Sequence, residues 1–132
     1  MISHPGMTSP TIHIDPFQAA QLLGKVLSET PEFRAFFAAS KAVYNDATIQ
    51  KLSAEMRSHQ TALHWGRDPD GVHTAELTRL ELELEDLQAM QEYRATEKEV
   101  SALFQAVDKI ISQEAGVDFA VNAQHTGCSC SG

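Results

Sequence analysis

The sequence has no apolar run near the roughly 20 residues that a membrane-spanning helix needs, so no insertion into a membrane is expected. Its first residues, Met1 to Pro10, carry Pro, Ser and His but nothing like the apolar stretch of a secretory signal. Basic residues are scarce: 10 Lys and Arg stand against 18 Asp and Glu, a formal net charge of -8. A surface of that sign repels phosphate backbones, which argues against direct DNA or RNA binding and for a protein partner. Cysteine is confined to Cys128 and Cys130, one residue apart near the end. A bridge between them would be strained and would close almost no loop, so no structural disulfide is expected. Reduced thiols are consistent with a cytoplasmic location. Period-two alternation and clusters of β-branched residues are missing, which removes the signal for strands. No Gly-rich phosphate loop, nucleophile elbow or HExxH pattern occurs. No pair of carboxylates has surroundings that would divide acid and base roles between them. The chain is therefore not expected to be an enzyme.

What remains is a chain of amphipathic helices. Its 132 residues, 42% of them apolar, suit one domain with a packed core. Residues 1–14 read as a disordered arm. Asp15-Pro16 supplies a helix cap and a first helical residue, with Phe17, Leu22, Leu23, Val26 and Leu27 on the apolar side up to about Ser28. Thr30-Pro31 repeats this punctuation and predicts a second helix, whose stripe holds Phe33, Phe36, Phe37, Ser40 and Tyr44. Asn45-Asp46 breaks that helix, and Asp46 can cap a third carrying Ile49, Leu52, Met56, His59 and Leu63. His59 reads as a hydrogen-bonded residue of an apolar face. His64, five residues on, points elsewhere and makes a poor metal pair with it.

Residues 66–71, Gly-Arg-Asp-Pro-Asp-Gly, form the clearest loop. A calcium loop starting at Asp68 would need Glu at its twelfth position and has Arg79, so calcium is rejected. Thr74 is the expected cap of a fourth helix with Leu77, Leu80, Leu84 and Leu87 along one seam. A longer stripe, Met90, Tyr93, Val100, Leu103, Phe104, Val107, Ile110 and Ile111, runs to about Ala115, with Gly116 as the stop. Periodicity leaves open whether Glu85-Asp86 separates the two. Between Glu76 and Glu99 eight acids face three bases: a solvated helix face or a docking face for a basic partner. The fold expected is all-α, a bundle of about five helices with long antiparallel amphipathic members. Residues 15–120 would form the domain and residues 121–132 a flexible tail. Phe33, Phe36, Phe37, Leu77, Leu80 and Leu84 are candidates for core or for an oligomer interface.

The tail, His125-Thr126-Gly127-Cys128-Ser129-Cys130-Ser131-Gly132, holds the one concentration of soft ligands. Thiolates suit zinc, Cu(I) or iron–sulfur clusters. A cluster takes four ligands, so Cys128 and Cys130, with His125 as a further candidate, would need donors from other chains. The same residues equally fit an exposed redox-labile tail.

Several stretches resemble the YlbF/YmcA family of small helical bacterial regulators. Leu22-Leu23-Gly24 followed by Ser28-Glu29-Thr30-Pro31-Glu32-Phe33 is similar to that family's helix and S-x-E-F segment. Asp46, Gln50 and Leu52 resemble its D-x-x-x-Q-x-L run. Gln91-Glu92-Tyr93-Arg94-Ala95 through Val107-Asp108-Lys109-Ile110-Ile111 is similar to its last long helix, and Gly116-Val117-Asp118-Phe119-Ala120 to its ending. Glu85-Asp86 stands where the family often has Asn-Pro, and the two cysteines stand closer together than in cluster-binding members. The resemblance implies an all-helical, non-catalytic adaptor that associates with homologous subunits and an unrelated third protein. Such complexes act like a specificity factor for an RNA-cleaving endonuclease and influence competence, biofilm formation and sporulation. They carry iron–sulfur clusters on cysteines near the subunits' C-termini, a role that only Cys128 and Cys130 could take here. Two alternatives come from the residues themselves: a structural helical oligomer with incidental cysteines, or a thiol or metal carrier using the C-x-C tail.

Overall fold

The computed structural model describes residues 13–124, and every described element is helical. Expectations for the arm before residue 13, and those for His125, Cys128 and Cys130, lie outside the described residues. The chain divides into two units, Met1–Thr30 and Pro31–Gly132.

The first unit contributes helix α1, Pro16–Ser28. Its start is a reciprocal cap. The Asp15 carboxylate accepts the Phe17 N–H at 2.7 Å, and the Gln18 side-chain oxygen accepts the Asp15 N–H at 3.4 Å. Two of the donors that a helix N-terminus leaves free are thus satisfied. At the other end the Ser28 and Thr30 hydroxyls donate to the Lys25 and Leu27 carbonyls, each at 2.7 Å.

The second unit is an antiparallel pair of broken helical arms. The outgoing arm is α2, Pro31–Tyr44, then α3, Ala47–His64. The returning arm is α4, Val72–Glu85, then α5, Gln88–Ala115. Helix α2 packs on α5 and α3 packs on α4. A six-residue helix α6, Phe119–Gln124, folds back against α5 and crosses the tail boundary expected at residue 120.

Each turn in the chain has an identifiable chemical cause. At the outgoing break, Asp46 Oδ1 accepts the Ile49 N–H at 3.0 Å and starts α3. The Gln50 amide reaches back and donates to the Tyr44 carbonyl at 3.1 Å, at the end of α2, and more weakly, at 3.4 Å, to the Val43 carbonyl, which also accepts the Asp46 N–H. At the tip, Gly66 takes a left-handed φ of 70°. Its N–H bonds the Leu63 carbonyl at 2.9 Å while that of Arg67 bonds Ala62 at 2.8 Å, a Schellman ending. The returning arm restarts from Asp70 and Gly71, both left-handed at φ 57° and 69°.

Thr74 does not cap α4. That helix begins at Val72 with Gly71 in the cap position, and the side chain that serves its first turn is Asp68. Asp68 takes the His73 N–H and the Thr74 hydroxyl, each at 2.7 Å. The left-handed pair at Asp70-Gly71 brings the loop back over the helix start, so a carboxylate four residues before Val72 can reach it. The stretch after Leu84 does break: α4 stops at Glu85, and extended Leu87 (ψ 137°) precedes α5. Gly116 ends α5 at φ 79°, as expected.

The core is thin. Among the described residues Ala39, Ile49, Leu52, Leu80, Met90 and Val100 are buried, all on the inner seams of the two arms. Leu80 is sealed completely, at 0% exposure, whereas Leu82 on the opposite face is 70% exposed. Leu80→Ala should therefore cost about 2–5 kcal/mol in urea unfolding. Leu82→Ala should stay within about 0.5 kcal/mol. Asp46→Ala, which removes the α3 cap, should cost about 1 kcal/mol by the same measurement.

Candidate interaction surface

The aromatic residues of α2 divide between two faces. Phe36 and Phe33 are half-buried, and Phe36 meets Tyr93 of α5 with ring centroids 5.4 Å apart. Phe37 is 55% exposed, stacks on Phe33 at 6.3 Å and carries the Lys41 ammonium 5.6 Å above its ring. Of the leucine seam, Leu80 is core while Leu77 and Leu84 are half-buried. The six candidates thus form a graded series from sealed to exposed, with Phe37 facing solvent.

Helix α5 is twice as long as α2, 28 residues against 14. Its second half therefore runs beyond the cover that α2 provides. A groove opens where the two part, lined by Pro31 and Ala35 of α2 and Ala102 and Leu103 of α5, with Glu32 and Glu99 on its margins. Farther on, Phe104 and Ile110 are exposed, Ile110 at 61%. Helix α6 adds exposed Phe119 and Val121. It is held by α5: the Phe119 N–H donates to Ser112 Oγ at 2.9 Å and the Ala120 N–H to Asp108 Oδ1 at 3.1 Å. This end of the unit thus exposes several apolar side chains among polar ones such as Lys109, Gln113 and Asp118.

The rest of the returning arm is charged and exposed. Arg79 bridges Glu76 at 2.8 Å and Glu83 at 3.1 Å. Hydrogen bonding and charge from Arg79 hold the Glu76 carboxyl below its ordinary pKa. Arg94 spans the α4–α5 break, contacting Glu85 at 2.9 Å and Glu97 at 3.3 Å. Glu85 raises the Arg94 pKa in return. These pairs are about half-exposed, so solvent screening leaves each worth little to stability. Their main effect is to neutralise part of the acidic face and fix the side chains there.

Two features of the tip escape the residue pattern. His59 finds His73, 14 residues on, with Nδ1 atoms 2.7 Å apart, whereas His64 meets Trp65 in a T-shaped pair. Among the described residues no group of three or more His, Cys, Asp or Glu is placed to hold a metal ion. No helix of the described residues is long and apolar enough to cross a membrane.

Residues 17–114 match the family model described as "Control of competence regulator ComK, YlbF/YmcA". The chain belongs to the YlbF/YmcA family. The match begins in α1, takes in both arms of the hairpin and stops one residue before the end of α5. Helix α6, His125, Cys128 and Cys130 lie beyond it. No curated protein matches the chain. The YlbF/YmcA assignment makes this a member of a family of competence-type regulators. It also gives the D-x-x-x-Q-x-L run a physical meaning. Asp46 starts one helix, Gln50 covers the end of the previous one, and Leu52 anchors the seam at 6% exposure.

The Asp68 cap carries a pH signature. The Thr74 hydroxyl and the His73 N–H lower its pKa from the ordinary carboxylate value. A carboxyl with a depressed folded-state pKa stabilises the fold above its unfolded pKa and loses that effect as pH falls through the folded value. Below about pH 4 the wild type should lose stability faster than Asp68→Asn, as read by urea titrations at stepped pH.

Proposed function

We propose that this chain is a non-catalytic regulatory adaptor that works as one subunit of a cytoplasmic helical assembly. The observation that carries this reading is the apolar end of α5 and α6, where Phe104, Ile110, Phe119 and Val121 stand exposed on an otherwise acidic chain. Single exposed apolar residues are ordinary, but several gathered on consecutive elements are the usual mark of a protein contact. Homologous helical subunits suit this surface, because long amphipathic helices offer complementary ridges and grooves. Phe33 and Phe37 of α2 and the half-buried Leu77 and Leu84 are the next candidates for contact.

The family link supports a role in regulation, and we assign the assembly to RNA processing or decay through an RNase-associated partner rather than by direct RNA contact. The net charge of -8 favours that indirect route. Cys128 and Cys130 would contribute to an iron–sulfur cluster shared between chains. Their chemistry fits as half a donor set: two thiolates supply half of the four ligands a cluster takes. His125 could supply a nitrogen donor beside them. A bound cluster would add a redox-sensitive link between subunits.

Two measurements test this. Light scattering on the purified chain, with Phe104→Asp and Ile110→Asp together, should show a drop in oligomer mass with helicity retained. An unchanged mass would remove the surface from the assembly. Anaerobic co-purification with the neighbouring subunits should give iron, sulfide and visible absorbance that vanish in Cys128→Ser with Cys130→Ser. Full partner binding without cluster in that double variant would leave the structural oligomer as the better account.

A further inference from the structure

We propose that His59 and His73 form a two-imidazole chelate for a nitrogen-preferring divalent transition metal, clipping α3 to α4 beside the hairpin tip. The two Nδ1 atoms lie 2.7 Å apart, with ring centroids 5.0 Å apart and the planes inclined at 50°. Both rings are half-buried and come from different helices. Nitrogens this close can share one proton, one ring donating and the other accepting, or turn both lone pairs to a single cation.

Geometry narrows the choice of ion. Metal–nitrogen bonds of about 2.0–2.1 Å put two neighbouring nitrogens about 2.9 Å apart at a right angle and about 3.3 Å apart at the tetrahedral angle. The observed 2.7 Å is nearer the first, the angle of tetragonal Ni2+ or Cu2+ sites. Zn2+ needs the rings to open farther and should bind more weakly. Chelation by two neutral rings requires no net proton loss. The proton on the donating Nδ1 leaves for solvent while that ring's Nε2 takes one up, so both rings carry Nε2–H and present Nδ1 lone pairs.

The supports of the pair are already in place. The His73 backbone N–H is held by Asp68, which fixes the start of α4, and the Schellman ending fixes α3 beyond His59. Two carboxylates add negative potential: Glu76 interacts with His59, and Asp68 with His73. Glu76 is in turn paired to Arg79 at 2.8 Å. No third protein ligand joins the pair among the described residues, so the other coordination positions would take water or a donor from another molecule. Replacing both cysteines separates binding at this pair from any cluster in the tail.

The test uses the full chain with Cys128→Ser and Cys130→Ser, so that thiols do not compete. Calorimetric titration with Ni2+ should give one ion per chain. His59→Gln or His73→Gln should each weaken binding at least about tenfold, and His64→Gln should leave it unchanged. Excess Ni2+ should raise the Tm of the parent by several degrees but not that of His59→Gln. In the unsubstituted rings, Zn2+ should shift the imidazole resonances of His59 and His73 while sparing those of His64. No uptake at millimolar Ni2+, equal binding in both Gln variants, or Zn2+ shifts that bypass these two rings would overturn the proposal.

Discussion

An α-helix that stops leaves carbonyls and amide groups without partners, and a chain can change direction only where something else satisfies them. The second unit depends on meeting that demand at two places. On the outgoing arm Asp46 and Gln50 cover both sides of a two-residue break. On the returning arm extended Leu87 makes the corner and the Arg94–Glu85 pair ties its two sides together. The Phe36–Tyr93 and His59–His73 pairs set an antiparallel register that puts these breaks at about the same level. Both arms therefore bend together, and the α2–α5 seam can pass into the α3–α4 seam without losing contact. If only one arm bent, Ile49, Leu52 and Leu80 would lose the neighbours that bury them.

Much of this was legible because it is local. Asp15, Asp46 and Gly116 act within one helical turn of their own positions, and the pattern predicts them correctly. The seam residues follow from the same period, which is why Leu80 and Met90 stand in the expected core stripes. The misses come from contacts that close through space. Thr74 has the right side chain for a cap, but two left-handed residues in the loop deliver Asp68 to the helix start instead. The separation at Glu85-Asp86 stays open in the sequence because the pair contains no Gly or Pro to decide it, and the structure shows the break. His73 carries no signal of its own in the sequence, and only the hairpin brings it to His59. Helix α6 is too short to be predicted from period alone and takes its anchoring from Ser112 and Asp108 of α5.

The candidate surface was legible only as a list of apolar residues. Periodicity places Phe104 and Ile110 on the same stripe as Val100 and Val107. It does not show that α2 is too short to cover the far half of α5. That mismatch in length turns part of a core stripe into a surface, and it is the physical basis for the proposal that the chain works as a subunit. Membership in the YlbF/YmcA family agrees with a regulatory role exercised through contacts. The seam inside one chain is narrow, with few sealed residues, so covering the apolar end should add appreciably to stability. The decisive measurement is the midpoint of thermal unfolding over a hundredfold range of protein concentration. If assembly buries the end of α5, the midpoint should rise steadily with concentration. A midpoint that stays fixed, with a constant monomer mass across the same range, would contradict self-association as the means by which that surface is covered.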